Sequence, residues 1–423
     1  MAMDRTVPET LIEAALDTTI AAIPPVPRRS PWQSALLLIG LVLVGLNLRP
    51  ALSGVAPLLA EIRSDLGLSP AFGGVLTTAP VLCLGLFGPL SPWLARRFGL
   101  ERTVFALTLV LAFGTALRAL GGTAMLLLGA IIAGAAIGII GVLLPGLVKR
   151  DFPDRMGLAT GAYTMALCIG AAGAAGLTPP AEQWLAGLGI AGGWRPAFAL
   201  WALPAVAAAL AWLPQLAHAR SQPAAPARAP VRGLWRDRLA WQVTLFMGLQ
   251  SSLTYCIFAW LAPILQDRGL SVVQSGAVIS VSALVQAVAA MTAPMLTDKG
   301  PDQRWLTLLT AGLTIVGLMG AVAAPLSTLW FWAVIMGAGQ GSVFAVALML
   351  IVLRSPNAET AAALSGMAQS VGYTLAAIGP FLVGVIKSWT GSWDAVRILF
   401  VAIAAACMMA GMGAGRNRTI AAG

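Results

Sequence analysis

Long apolar runs separated by short polar segments dominate the chain, and inside the runs polar and apolar positions do not alternate. The runs are about 18 residues or longer, the length a helix needs to cross the hydrocarbon of a bilayer. In lipid, backbone groups must bond to one another, which leaves helices or closed barrels. Runs rich in Leu, Ala and Gly without period-two alternation read as helices. Twelve spans are predicted: 34–62, 70–95, 103–120, 125–148, 156–178 and 196–213, then 241–265, 273–296, 306–324, 329–353, 361–386 and 396–413. The resulting organisation is an N-terminal tail (1–31), a six-helix half (32–214), a linker (215–240), a second six-helix half (241–415) and a short tail (416–423). The stretch from His218 to Arg238 is polar and rich in Pro, Ala and Arg, so it cannot bury a core and serves as the linker.

Composition agrees with this class. Of the 423 residues 58% are hydrophobic and 10% charged, with mean hydropathy +0.85. Soluble domains carry about 25% charged residues, so this chain lacks the charge to cover a water-facing surface. The net charge of +10 does not indicate a nucleic-acid partner, because the basic residues lie in short loops without interleaved aromatics. They report topology instead. Arg63, Arg118, Arg195, Arg268, Lys387 and Arg397 fall on one side and Arg49 lies inside a span; the remaining nineteen of the 26 fall on the other side. Under the positive-inside rule the richer side is cytoplasmic, which places both termini and the linker there. Tryptophans near span ends, among them Trp32, Trp93, Trp194, Trp241, Trp305 and Trp393, fit an interfacial belt.

The two groups of spans repeat. Ala56-Pro57-Leu58-Leu59 and Gly67-Leu68-Ser69 around the end of span 1 return as Ala262-Pro263-Ile264-Leu265 and Gly269-Leu270-Ser271 around the end of span 7. Gly134 and Gly138 of span 4, followed by Lys149-Arg150, return as Gly337 and Gly341 of span 10, followed by Arg354. An even number of spans per half makes the repeat parallel, related by an axis along the membrane normal. Two six-span parallel halves around a cytoplasmic linker resemble the all-α, twelve-helix architecture of the major facilitator superfamily, which implies substrate binding between the halves and rocking around that site.

Arg49 is the candidate with the sharpest chemistry. It lies about fifteen residues into span 1, roughly 22 Å along the helix at 1.5 Å per residue, near mid-bilayer. An unpaired cation there costs several kcal/mol unless it faces a cavity or a partner. None of the sixteen acidic residues falls at its depth, so a transported anion is its natural counter-charge, and a guanidinium fork suits carboxylate-like groups. Pro50 cannot donate to the Leu46 carbonyl, so span 1 should kink there and free an acceptor near Asn47 and Arg49. All three tyrosines, Tyr163, Tyr255 and Tyr373, lie inside spans, as do Gln250, Gln286, Gln340 and Gln369. Aromatic faces with hydroxyls and amides could line a small polar pocket, although packing explains any one of them equally well. The close-spaced glycines read as helix packing. Cys83, Cys168, Cys256 and Cys407 lie inside apolar runs without metal-ligand spacing, and the only histidine, His218, is in the linker. No nucleophile–base pair or metal cluster is visible, so neither an enzyme nor a cofactor is expected.

Several strings resemble the CynX/NimT (cyanate/2-nitroimidazole permease) family within the major facilitator superfamily. They are Asn47-Leu48-Arg49-Pro50 in span 1, Leu94-Ala95-Arg96-Arg97-Phe98-Gly99 after span 2, Leu144-Pro145-Gly146-Leu147-Val148-Lys149-Arg150-Asp151-Phe152-Pro153 ending span 4, Leu249-Gln250-Ser251 with Tyr255 and Ala259-Trp260-Leu261 in span 7, and Gly366-Met367-Ala368-Gln369-Ser370-Val371-Gly372-Tyr373 in span 11. The resemblance implies a multi-pass permease of a bacterial inner membrane for small anionic or nitro-aromatic compounds. The site expected from residues and resemblance together comprises Arg49, Asn47, Tyr163, Gln250, Tyr255, Trp260, Gln340, Gln369 and Tyr373. The partners expected are a small-molecule substrate, anionic in the leading reading, and the lipid bilayer, with no nucleic acid and a monomeric state. Two departures stand out. No acid precedes Arg96-Arg97, where Ala95 stands near the usual place, and Gly138-Ile139-Ile140-Gly141 lacks an asparagine expected by analogy. An exporter of drug-like aromatics is the alternative. A non-transporting sensor ranks lower, because the tails and linker are too short for a further soluble domain.

The charge census predicts that alkaline phosphatase fused after Ala225 is inactive and fused after Gly189 is active. The opposite pattern in a fusion assay reverses the orientation.

Overall fold

The computed structural model describes residues 30–152, 155–190, 192–217, 233–293 and 302–420. Among these residues twelve helices are long and apolar enough to cross a membrane. They are α1 (Pro31–Leu66), α2 (Pro70–Phe98), α3 (Leu100–Leu117), α4 (Thr123–Val148), α5 (Leu158–Gly187), α6 (Trp194–Leu216), α7 (Arg238–Asp267), α8 (Val272–Thr292), α9 (Arg304–Ala323), α10 (Leu326–Leu353), α11 (Ala363–Thr390) and α12 (Asp394–Ala414). Each expected span corresponds to one of them. The expected N-terminal tail and most of the linker lie outside the described residues.

The repeat is visible in the packing. In the first half α1 packs on α5 and α6, α2 on α4, and α3 on α4 and α6. In the second half α7 packs on α11 and α12, α8 on α10, and α9 on α10 and α12. The halves meet through α5 on α8 and α2 on α11, which are again equivalent pairs. The repeated strings account for this locally. Gly67 and Gly269 end α1 and α7 with positive φ (62° and 100°), a conformation open to glycine. Ser69 and Ser271 then accept the backbone N–H groups of Phe72 and Gln274, each at 3.2 Å, and start α2 and α8. The paired glycines are close approaches. A Cβ on Gly134 would stand 2.5 Å from Pro80 Cα, and one on Gly341 would stand 2.2 Å from Gln286 O. Small residues at these points let α4 lie against α2, and α10 against α8.

Buried ion and hydrogen-bond clusters tie each half together at the linker end. The acid missing before Arg96-Arg97 is supplied from the other side of that turn. Glu101, only 2% exposed, meets Arg150 at 2.5 Å, and Asp151 meets it at 2.6 Å. Burial alone would lower the Arg150 pKa, but the hydrogen bonds and charges of Asp151 and Glu101 raise it overall. Arg354 holds the equivalent place in the second half with neutral partners: it donates to the Gln303 side chain, to Ala414 O (2.9 Å) and to Gly415 O (3.1 Å).

Helix α1 departs from regular helix in the way Pro50 demands. Its first segment ends at Asn47, a short helix covers Pro50–Ser53, and a 3-10 turn covers Ala56–Leu58. The Leu46 carbonyl freed by Pro50 does not open into the space between the halves. It abuts α5, where a Cβ on Gly170 would stand 1.9 Å from the oxygen. Arg118 lies near where the third span was expected to end, and it is buried there (4% exposed). It donates to Ala51 O at 2.7 Å and stacks on Phe198 at 5.1 Å, so it fastens the broken segment of α1 to the first half. Trp194 is also buried, with its indole N–H on Asp65, and so does not belong to an interfacial belt.

The contact at Gly170 gives a stability prediction. Gly170→Ala should cost about 1–3 kcal/mol by overpacking and lower the melting temperature in detergent. Gly187→Ala, whose Cβ meets nothing within 4 Å, should leave it unchanged.

Candidate functional site

The break in α1 sets Arg49 at its centre, between the segments Pro31–Asn47 and Pro50–Ser53, with φ −107° and ψ −27°. Its guanidinium reaches across to the second half and lies 5.6 Å from the centroid of the Phe258 ring on α7. Nη1 is buried without a hydrogen-bond partner, and among the described residues Arg49 has no ion pair.

Around Arg49 lies a cavity of about 870 Å³, partly open to solvent. Six helices besides α1 supply its walls. Tyr163, Thr164 and Leu167 come from α5, Tyr255 from α7, Phe344 and Leu348 from α10, and Gln369, Ser370 and Tyr373 from α11. Leu84 and Gly88 of α2 and the stretch from Ile137 to Pro145 of α4 contribute as well. The rings of Tyr255 and Tyr373 meet edge to face at 6.3 Å, and Gln369 Nε2 donates to Ser365 Oγ at 2.9 Å. A smaller recess, with room for about one water molecule, shares Arg49, Tyr255, Phe344 and Tyr373 with the first and adds Gln250, Ser251, Thr254 and Gln286. Neither compartment is lined by Asp, Glu or His.

The wall residues of α2, α4, α5, α10 and α11 all belong to the halves of those helices nearest the linker end. At the opposite end the two halves are pressed together. Gln266 on α7 donates to Pro57 O on α1 at 2.8 Å, and a Cβ on Gly74 of α2 would stand 3.2 Å from Gly384 Cα of α11. The cavity is therefore accessible from the linker end and closed at the other.

Of the nine expected site residues the structure gathers six. Arg49, Tyr163, Tyr255, Gln369 and Tyr373 line the larger compartment, and Gln250 lines the smaller one. Three sit elsewhere. Asn47 turns toward α6, where Nδ2 donates to Leu43 O (2.8 Å) and Pro204 O (3.1 Å). This follows from its spacing of two from Arg49, which puts the two side chains on different faces. Trp260 lies in the closed end, its indole N–H on Pro380 O at 2.9 Å and its ring against Trp393. Gln340 is buried between α8 and α10, with Oε1 accepting from Ser282 Oγ at 3.3 Å. Phe258, Phe344 and Thr164 were not anticipated. Phe258 follows Tyr255 by three residues, one helical turn, and that spacing was the available signal.

A twelve-helix bundle of two matched halves with a cavity between them defines a transporter of the major facilitator class. The sequence profile of the Major Facilitator Superfamily matches residues 35–377, and the chain belongs to that superfamily. Within it the relatives point to one branch. The chain is 39% identical to the 2-nitroimidazole transporter of Escherichia coli (strain K12) over 386 residues, 91% of this chain and 96% of that one. It is 32% identical to the cyanate transport protein CynX of the same organism, over 84% of this chain and 91% of that one. An uncharacterized transporter, YycB, of Bacillus subtilis (strain 168) is 38% identical over 94% of this chain and 97% of its own length. The chain is thus a membrane transporter of the CynX/NimT family, and not an enzyme. The fold is shared with a bacterial homologue of the human lysosomal transporter Spinster in an inward-facing, unoccupied conformation, with TM-score 0.74 and 17% identity over 92% of this chain and 99% of that chain.

Proposed function

We propose that the protein carries a small anion or a polar planar solute across a bacterial inner membrane by alternating access, with Arg49 as the substrate anchor. The observation that carries this reading is a guanidinium facing a solvent-open cavity between the halves, with Nη1 buried and unpaired. Such a group favours a ligand that brings negative charge or strong acceptors, and a charge-assisted hydrogen bond in this setting is among the stronger kinds. Two relatives are named for cyanate and for 2-nitroimidazole. The first is a monoanion and the second a flat ring whose nitro oxygens carry partial negative charge, and both suit a fork beside aromatic walls. If the termini are cytoplasmic, the cavity faces inward and the contact from Gln266 to Pro57 belongs to the outer gate.

Rocking of one half against the other would open that gate and close the cytoplasmic side around the same site. With no titratable acid or histidine on the cavity walls, coupling by a proton carried on the substrate, or by anion exchange, is the reading preferred. Asp65, near the outer end, is already paired with Arg195 at 2.8 Å. A second reading, export of drug-like aromatics, draws on the apolar share of the walls, including Leu52, Leu84, Ile137, Leu167 and Leu348.

Uptake of labelled cyanate and 2-nitroimidazole into proteoliposomes tests the anchor. Hydrogen bonds to charged groups contribute about 1.5–3 kcal/mol, so Arg49→Ala should weaken apparent affinity by roughly 10- to 100-fold. Arg49→Lys should fall between, since it keeps the charge and loses the planar fork. Wild-type transport by Arg49→Ala removes the anchor role.

A further inference from the structure

The smaller compartment carries information about the substrate beyond its charge. Gln250, on the second half, is 2% exposed, and its two amide ends are in different states. Nε2 donates to Met247 O at 3.1 Å and to Ser251 Oγ at 2.7 Å. Oε1 is buried with no partner. The orientation of the amide is dictated by its surroundings: turning it over would set Oε1 against the Met247 carbonyl oxygen, and two acceptors repel. The neighbouring Thr254 hydroxyl spends its proton on Gln250 O at 3.1 Å, so it too can only accept from a ligand.

The smaller compartment therefore brings together unmet groups of opposite polarity. Arg49 presents an unmet donor and Gln250 an unmet acceptor, and Tyr255, Phe344 and Tyr373 line both compartments. We propose that the substrate is a planar anion that also carries an N–H or O–H donor, the anionic edge meeting Arg49 and the donor meeting Gln250 Oε1. Lining by aromatic rings favours a flat body over a branched aliphatic one. Selectivity then comes from the hydrogen bond that only a donor-bearing ligand can give to the buried, unpaired acceptor. A site that only attracted anions would not distinguish the two kinds of ligand. This inference rests on the reading of the cavity as the substrate site, and its test separates the two.

Binding of pyrrole-3-carboxylate and furan-3-carboxylate to the purified, detergent-solubilised protein provides the measurement. The rings are nearly isosteric and both acids are anions; only the pyrrole has a ring N–H. The wild type should bind the pyrrole acid about tenfold more tightly. Gln250→Met, which keeps the side-chain volume and removes the acceptor, should bind the furan acid as the wild type does and lose the preference to within about twofold. Arg49→Ala should weaken both acids alike. Equal binding of the two acids by the wild type, or no binding of either at millimolar concentration, overturns the donor requirement, and that comparison does not depend on how any variant folds. A preference that persists in Gln250→Met also overturns it. Unchanged binding of both acids by Arg49→Ala overturns instead the anchor reading beneath it.

Discussion

A cation inside a membrane bundle, with no ion pair among the described residues, is the constraint around which the rest of this structure is arranged. Lipid cannot solvate a guanidinium, so the protein must surround Arg49 with cavity, aromatic faces and the opposing half. The break at Pro50 makes this possible, because a continuous helix would not interrupt its ladder at that point. The break has its own requirements. Its freed carbonyl at Leu46 is accommodated by the bare backbone of Gly170, and the Ala51 carbonyl receives a hydrogen bond from Arg118. One buried arginine thus shapes the segment that presents the other.

The two halves share their scaffold and divide the chemistry. The glycine-based contacts of α4 on α2 and of α10 on α8 are equivalent, as are the turns from α1 to α2 and from α7 to α8. The polar groups are not. The first half contributes the unmet donor and the second half the unmet acceptor, along with the paired tyrosine rings. The linker-end clusters divide in the same manner, with Arg150 held by carboxylates and Arg354 by carbonyls and an amide. A symmetric frame can rock about its axis, while unlike walls let the site hold an asymmetric ligand.

The sequence readings that failed share a physical cause. Trp260 was grouped with the site through the family resemblance and Gln340 as an amide deep in a span, yet a deep span position can face the cavity, a neighbouring helix or the closed end. Lipid and protein interior are both apolar, so a membrane helix needs no hydrophobic stripe and its pattern does not say which way each side chain points. Arg118 was counted as a topology signal, because hydropathy alone cannot tell a charge facing water from one buried against a carbonyl. Asn47 stands two residues from Arg49, a spacing that separates their faces on any helix.

What the sequence determined by itself was what the solvent dictates. The number of spans, the parallel repeat, the glycine contacts and the isolation of Arg49 follow from apolar runs, recurring strings and an inventory of charge, since lipid imposes those costs on any fold. Which side chains meet was decided only by tertiary structure. The meeting of Arg49 with Phe258, the union of Tyr163, Tyr255 and Tyr373 in one cavity, and the unpaired oxygen of Gln250 depend on the rotation and register of helices from both halves. Those are set by close packing across the interface, and no local pattern encodes them.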